Sequence, residues 1–254
     1  MFIATIVPTK HLHLIEDKHL HLCLMQELKR DSEYKEFYKR MSKEGKYVIL
    51  DNGAAEQEEP DIIEILRMQE EINASEIVLP DKFFDSTGTY KSTKDAIAYM
   101  QGKNVHTNTM AVAQGKDLDE WSMCALRLAV LSVSCIGVPK NLVYTSGPDA
   151  RMKAIDTLMR ISYLTQERFK IHLLGCWTDP REIGVIYAHY GEVVRGVDSG
   201  IAAMYTQAGL LLDPDNAPKP GDNKPYLDFQ GELDEVLLKE NIKRWEQYCH
   251  GLLH

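Results

Sequence analysis

The sequence predicts a single-domain α/β protein, a (β/α)8 TIM barrel over residues 1–254. Short apolar, β-rich runs alternate with segments of helical periodicity along most of the chain, which is typical of a parallel α/β fold. Several of these runs end in a small or polar residue, as in Val48-Ile49-Leu50-Asp51 and Ala111-Val112-Ala113-Gln114-Gly115. Parallel barrels build their pockets at the carboxyl ends of their strands, so this pattern favours a barrel.

Seven strands are predicted from these runs. In chain order they cover residues 2–7, 46–52, 76–79, 109–113, 135–138, 170–174 and 193–197. Between them, apolar spacing and start signals such as Pro60-Asp61 predict helices. The predicted helices include 17–29, 32–43, 92–100 and an amphipathic C-terminal segment, 232–250. Right-handed crossovers then make all seven strands parallel.

The position of the eighth strand is not decided by the sequence. The candidates are residues 209–212 and 226–229, which flank a loop rich in Pro, Gly and Asp. The whole segment 213–230 could equally form a loop or a small hairpin at the pocket rim.

Composition narrows the class of protein. Hydrophobic residues make up 44% and charged residues 26%, as in ordinary globular proteins. No apolar run reaches membrane-spanning length and the chain starts with a strand-like run, so we expect a cytoplasmic protein with no membrane partner. The five scattered cysteines argue against a disulfide framework and a Cys-rich zinc site. The net charge of −9 means that a nucleic-acid partner would need a local basic surface.

Each strand-end residue also has an ordinary structural interpretation. Asp51 and Asp81 suit Asx turns or helix caps, and Asp198 suits the cap of a helix over 200–208. Gln114 is more informative, because an amide rarely ends a buried strand without a partner. Convergence favours a functional site, because a barrel brings all these strand ends to one pocket.

Two histidine pairs, His11-Leu12-His13 and His19-Leu20-His21, suggest metal ligands. Because the first strand is predicted to end near Pro8, the pairs fall in a loop and a helix, and a solvated His-rich face is favoured. The sequence contains no G-x-x-x-x-G-K-[ST], G-x-G-x-x-G, H-E-x-x-H or G-x-S-x-G motif. We therefore predict neither a metal nor a cofactor.

Taken together, the strand ends resemble the tRNA-guanine transglycosylase superfamily, most closely its archaeosine type. Five blocks match in the same order and span most of the predicted barrel. They are Asp51-Asn52-Gly53-Ala54-Ala55-Glu56, Val112-Ala113-Gln114-Gly115, Ile136-Gly137-Val138, Ile171-His172-Leu173-Leu174-Gly175 and Val197-Asp198-Ser199-Gly200-Ile201-Ala202-Ala203-Met204-Tyr205. Enzymes of this superfamily exchange a guanine base in a polynucleotide for a 7-deazaguanine.

The resemblance implies a role for each matched residue. Asp198 aligns with the nucleophile that attacks the sugar C1′ and forms a covalent intermediate, for which a carboxylate is well suited. Asp51 aligns with the general acid/base that handles the proton of the base. Asp81 aligns with the acceptor of the 2-amino and N1–H edge, and Gln114 with a reader of the carbonyl side. The remaining predicted substrate-binding residues are Asn52, Gly115 and Gly137.

The sequence also departs from the family pattern. The family's C-x-C-x-x-C zinc cluster is absent, and Cys249 and His250 stand alone at the C-terminus. A compact barrel of this kind resembles the phage-associated branch that places 7-deazaguanines into DNA, so we expect DNA rather than tRNA as polymer and the host cytoplasm as location. Free guanine or a 7-deazaguanine such as preQ0 would be the second substrate. Predicted nucleic-acid contacts are Lys82, Lys116 and Lys140.

Three alternatives stay open on the sequence. The same exchange could act on tRNA, a metal-dependent barrel hydrolase could use the histidine pairs with Asp198, or the chain could be a non-catalytic partner subunit. A homo-oligomer is one option for the assembly.

Overall fold

Eight parallel strands form one sheet that curls into a nearly closed barrel. The computed structural model describes residues 1–54, 60–176, 179–216 and 227–253. The strands are β1 (Phe2–Thr5), β2 (Leu20–Cys23), β3 (Tyr47–Leu50), β4 (Glu76–Val78), β5 (Asn108–Val112), β6 (Cys135–Pro139), β7 (Lys170–Leu174) and β8 (Val194–Ser199). Their order is β1-β8-β7-β6-β5-β4-β3-β2, and β1 packs against β2 at the seam. The predicted barrel is confirmed.

Helices surround the barrel and follow most strands. They are α1 (Met25–Arg30), α2 (Ser32–Lys43), α3 (Ile62–Ile72), α4 (Ser86–Gly102), α5 (Leu118–Ala129), α6 (Asn141–Ser146), α7 (Ala150–Thr165), α8 (Arg181–Tyr190), α9 (Ile201–Gln207) and α10 (Glu235–Cys249). The predicted C-terminal helix is confirmed as α10, which packs on α8 and α9. Within the described ranges, no helix is both long and apolar enough to cross a bilayer.

The eighth strand is β2, where a helix over 17–29 was predicted, so that prediction is wrong. Leu20 and Leu22 alternate with His21 and Cys23, and all four are buried because one face meets the barrel interior and the other the surrounding helices. β2 pairs with β3 from Leu20 opposite Tyr47 onward. The helical spacing that misled the prediction belongs to α1, which begins only two residues later.

Neither predicted candidate for the eighth strand is one. Residues 209–212 lie in the turn and coil after α9, and residues 227–229 form no strand. Tyr226 and the loop residues 217–225 lie outside the described ranges, as do Ala55 and Glu56 of the first family block.

One histidine of each pair, His11 and His21, is buried, so a solvated face is the wrong interpretation for these two, whereas His13 and His19 are exposed. His11 is buried in a short 3-10 helix (Thr9–Ile15), and its Nε2 accepts a hydrogen bond from the Leu233 amide at 3.0 Å. His21 is buried against the aromatic residues of α2, and burial lowers its pKa to about 4. No group of three His, Cys, Asp or Glu side chains in the described ranges could hold a metal ion.

A buried ion pair crosses the amino-terminal end of the barrel. Glu76 begins β4 and Arg195 lies near the start of β8, and β5, β6 and β7 separate these two strands in the sheet. Arg195 donates to both oxygens of the Glu76 carboxylate, with 3.1 Å between Nη2 and Oε1. The Tyr47 hydroxyl donates to the same carboxylate at 2.5 Å. This pair joins opposite walls of the barrel.

Candidate functional site

The predicted site residues lie at the mouth of the barrel, meaning the carboxyl ends of the strands and the loops that follow them. Asp81 follows β4 and is buried, with only 4% of its surface exposed. Its Oδ1 accepts from Asn52 Nδ2 at 2.7 Å, and its Oδ2 accepts from Gln114 Nε2 at 2.7 Å. Two predicted site residues from neighbouring strand ends therefore meet at the carboxylate of a third.

A fourth residue extends this network. Asn141, the first residue of α6, directs Nδ2 toward Gln114 Oε1 at 3.4 Å. The resulting amide cluster, Asn52–Asp81–Gln114–Asn141, spans the ends of β3, β4, β5 and β6. Sequence reasoning missed Asn141, because an Asn after a strand is ordinary loop material.

Burial controls the protonation of Asp81. Removal from water raises the pKa of its carboxyl to about 6, and the hydrogen bonds from Asn52 and Gln114 offset part of that rise because they stabilise the anion. A buried carboxyl with a pKa near neutrality, held at a barrel mouth, is typical of a functional group.

Asp198 is the second buried carboxylate of the mouth. It lies near the end of β8, and its Oδ1 is 3.1 Å from Nε2 of His172 on the neighbouring strand β7. The His172 side chain is fully buried and that of Asp198 is 8% exposed. His172 was predicted only as part of the family block Ile171–Gly175 and not as a site residue. Its signal was a lone polar residue inside the apolar run Ile171–Leu174.

The helix-capping role considered for Asp198 belongs to its neighbour. Ser199 Oγ accepts from the Ile201 amide at 3.1 Å and donates to the Cys176 carbonyl at 2.7 Å. The first turn of α9 is therefore capped by Ser199, and the carboxylate of Asp198 points to His172 instead. Burial raises the pKa of the Cys176 thiol to about 12, so this nearby sulfur stays protonated at neutral pH and is a poor nucleophile.

Asp51 combines a turn role with a position at the mouth. Its Oδ2 accepts from the Gly53 amide at 3.1 Å, which is the Asx turn that the sequence suggested. Its backbone amide donates to the Cys23 carbonyl, continuing the pairing of β3 with β2. The Asp51 side chain remains partly exposed, so a substrate can approach it.

The two predicted site glycines lie in crowded places. A side chain at Gly115 would meet the Trp121 backbone nitrogen at 2.3 Å, so this glycine lets the β5 end approach α5. Gly137 lies inside β6, two residues before its end, and a Cβ there would meet Leu174 Cδ1 at 2.7 Å. Both positions therefore need glycine for close packing, and neither offers a side chain to a substrate.

The predicted nucleic-acid contacts lie on the rim. Lys82 and Lys116 are exposed, and Lys140 is half-buried at the start of α6. The lysines follow β4, β5 and β6, which are neighbours in the sheet, and the acidic residues Asp117 and Asp119 share the same rim. The basic surface is therefore local and interrupted.

Comparison with known proteins adds no family: no protein-family model matches this chain, and no curated protein does. The family resemblance consequently rests on the quoted strand-end blocks, and the membership they suggest stays a prediction.

Proposed function

We propose that this barrel exchanges guanine in a polynucleotide, with DNA favoured over tRNA, for a free 7-deazaguanine base. One observation carries the proposal. Two buried carboxylates, Asp81 and Asp198, lie at the mouth of one barrel, the first bracketed by two amides and the second paired with a histidine. A recognition carboxylate and a reaction carboxylate are what base exchange on guanine requires.

The amide cluster suits a guanine edge. Each carboxylate oxygen of Asp81 accepts one hydrogen bond, Oδ1 from Asn52 and Oδ2 from Gln114. Each can accept a second hydrogen bond from an incoming N–H. The ionised carboxylate can thus accept from N1–H and the 2-amino group, while the second hydrogen of Gln114 Nε2 can donate to the carbonyl side. Adenine offers the opposite pattern and is rejected.

Asp198 is the proposed nucleophile. One oxygen attacks C1′, the C1′–N9 bond breaks, and guanine leaves with the electron pair on N9. Asp51 supplies the proton to that base and later removes the proton from the incoming base, whose nitrogen attacks C1′ and releases Asp198. An ester to a carboxylate suits this sequence because the transition states carry oxocarbenium character.

His172 orients the nucleophile in this scheme. Its Nδ1 is buried and finds no hydrogen-bond partner in the described ranges, so Nε2 is the ring nitrogen that is placed to donate a hydrogen bond. Nε2–H then donates to Asp198 Oδ1, which leaves Oδ2 for attack on C1′. His172 is a positioning residue, because no reacting atom needs to touch it.

Two features support the preference for DNA: the departure of the sequence from the family pattern and the small number of exposed lysines on the rim. The chain lacks the family's zinc cysteines, and the exposed lysines Lys82 and Lys116 provide few phosphate contacts. On duplex DNA, the logarithm of the binding constant falls by about 0.9 per phosphate contact for each log unit of salt. Since the contacts are few, the total salt dependence should be shallow.

Label transfer tests the proposal. Purified protein is incubated with radiolabelled guanine or preQ0 and, separately, with single-stranded DNA, duplex DNA and tRNA, and label in each polymer is counted. Label in DNA is expected. Label in tRNA alone would overturn the choice of polymer, and label in no polymer would overturn base exchange itself.

A further inference from the structure

The loop between β4 and α4 displays two exposed aromatic side chains at the mouth. Phe83 is 45% exposed and Phe84 is 42% exposed, and their ring centroids lie 6.1 Å apart. They follow directly after Lys82 and the buried Asp81. Large aromatic residues exposed in pairs beside a candidate site indicate a contact surface.

The backbone at Phe84 is unusual. Its φ is +58°, in the left-handed region that a bulky side chain disfavours. The other described non-glycine residues with positive φ, which are Asn73, Asn104, Ser132 and Gln166, all follow the end of a helix, where this conformation is common. Phe84 instead lies in a turn closed by the Asp85 amide and the Lys82 carbonyl, where Gly or Asn is usual. Backbone strain of this kind clusters at functional sites.

The loop is also held rigidly. Thr89 Oγ1 accepts from the Lys82 amide at 2.9 Å and donates to the Lys82 carbonyl at 3.0 Å. The hydroxyls of Ser92 and Thr93 both donate to the Pro80 carbonyl. The first turns of α4 thus hold the backbone of the loop, so that little backbone entropy is left to lose when the rings bind a partner.

We propose that Phe83 and Phe84 form an aromatic wedge that enters the DNA base stack beside the target nucleotide; this inference rests on the proposed base exchange. A duplex hides C1′ and the base edge, so an enzyme acting there must unstack the base. Phe side chains inserted between base steps do this in other DNA-binding proteins, and exposed Lys82 beside the wedge can meet a phosphate.

Fluorescence of 2-aminopurine tests the wedge without needing catalysis. The probe is a duplex with 2-aminopurine beside guanine, compared with the same strand alone. The variants are Phe83→Ala, Phe84→Gly and their combination, and Phe2→Ala is the matched control, since Phe2 is 49% exposed at the opposite end of the barrel. Wild type and Phe2→Ala should raise the fluorescence of the duplex.

The double variant should give no such rise and should bind the single strand roughly 5- to 100-fold more weakly, the usual effect of losing base stacking. Equal fluorescence in the double variant and wild type would overturn the wedge, and so would a wild type that never brightens the duplex or that binds RNA in preference to DNA. Base exchange is scored separately on single-stranded DNA. No base exchange by the wild type would refute the proposed function. If the wild type exchanges the base but the double variant brightens 2-aminopurine as strongly as the wild type does, only the wedge is refuted.

Discussion

Each end of the barrel buries a carboxylate, but the groups that contact the two carboxylates differ. At the amino-terminal end, Glu76 meets the Arg195 guanidinium and the Tyr47 hydroxyl, so its charge is balanced by a cation. At the mouth, Asp81 meets two neutral amides, and burial raises the pKa of its carboxyl to about 6.

This contrast separates a structural role from a chemical one. A cation fixes the charge of its partner and ties distant strands together, whereas amides hold a carboxylate in place while leaving its proton free to come and go near neutral pH. Substitutions at the two ends should therefore affect different properties.

Asp198→Asn should produce the largest effect, and on turnover alone. An amide cannot form the glycosyl ester, so we expect base exchange to fall by on the order of 10⁴-fold or more. Wild type mixed with DNA should give a covalent protein–DNA adduct that survives denaturing electrophoresis, and the variant should give none. Near-normal exchange in the variant would remove Asp198 from the mechanism.

Glu76→Ala should produce the largest effect on stability. It leaves the Arg195 guanidinium, whose side chain is only 12% exposed, without its carboxylate partner, which costs about 3 kcal/mol of unfolding free energy. Urea denaturation measures this loss. The control is Glu76→Leu combined with Arg195→Met, which removes both charges and should recover most of the stability. A loss below about 1 kcal/mol for Glu76→Ala would mean that the pair does not hold the barrel together.

Asp81→Asn should remove a specific pH dependence of stability. The ordinary carboxyl pKa is 3.8 and the folded one is about 6, so between these values the folded protein keeps a proton that the unfolded chain has lost. Wild-type stability should thus fall as pH rises from about 4 to about 6, by roughly 3 kcal/mol for about two pKa units, and level off above that.

The variant lacks this proton and should show no such fall, which urea denaturation across pH can measure as a difference curve. Asn at position 81 can keep both contacts if the Gln114 amide rotates to present its oxygen. Parallel curves for wild type and variant would show that Asp81 does not titrate in this range. In base exchange, wild-type affinity for guanine should weaken below about pH 6, because protonated Asp81 loses acceptor capacity.

Phe84→Gly should have the smallest effect on stability. Relief of the left-handed backbone favours glycine by about 1–2 kcal/mol, and the lost ring contacts and the freer unfolded chain offset this, so the net change should stay within about 1 kcal/mol. The control is Phe2→Gly in β1, where glycine relieves no strain and weakens the strand. A loss above about 2 kcal/mol at Phe84 would identify the ring as a packing element.

The sequence predicted the barrel because its strongest signal is local. Seven apolar runs between helical segments identify β1 and β3–β8. Each run is recognisable from its own few residues. β2 was missed because its four residues end two positions before α1 begins, and the two segments together imitate one longer helix over 17–29. Periodicity over so short a run does not distinguish the two structures.

The candidate site was partly predictable for the same reason. Asp51, Asp81, Gln114 and Asp198 end strands, and a parallel barrel gathers strand ends at one mouth. His172 and Asn141 were not predicted, because their partners come from neighbouring strands and loops that no local pattern connects.

The sequence by itself determined the parallel α/β barrel and placed Asp51, Asp81, Gln114 and Asp198 at its strand ends. The reason is that the alternation of strands and helices follows from the local spacing of apolar residues. Only the tertiary structure decided which carboxylate meets a cation and which meets amides. Glu76 finds Arg195 across the barrel, and Asp81 finds Asn52 and Gln114 on either side of it. These partners are remote in the chain, and burial at the place where they meet sets the protonation that chemistry at the mouth depends on.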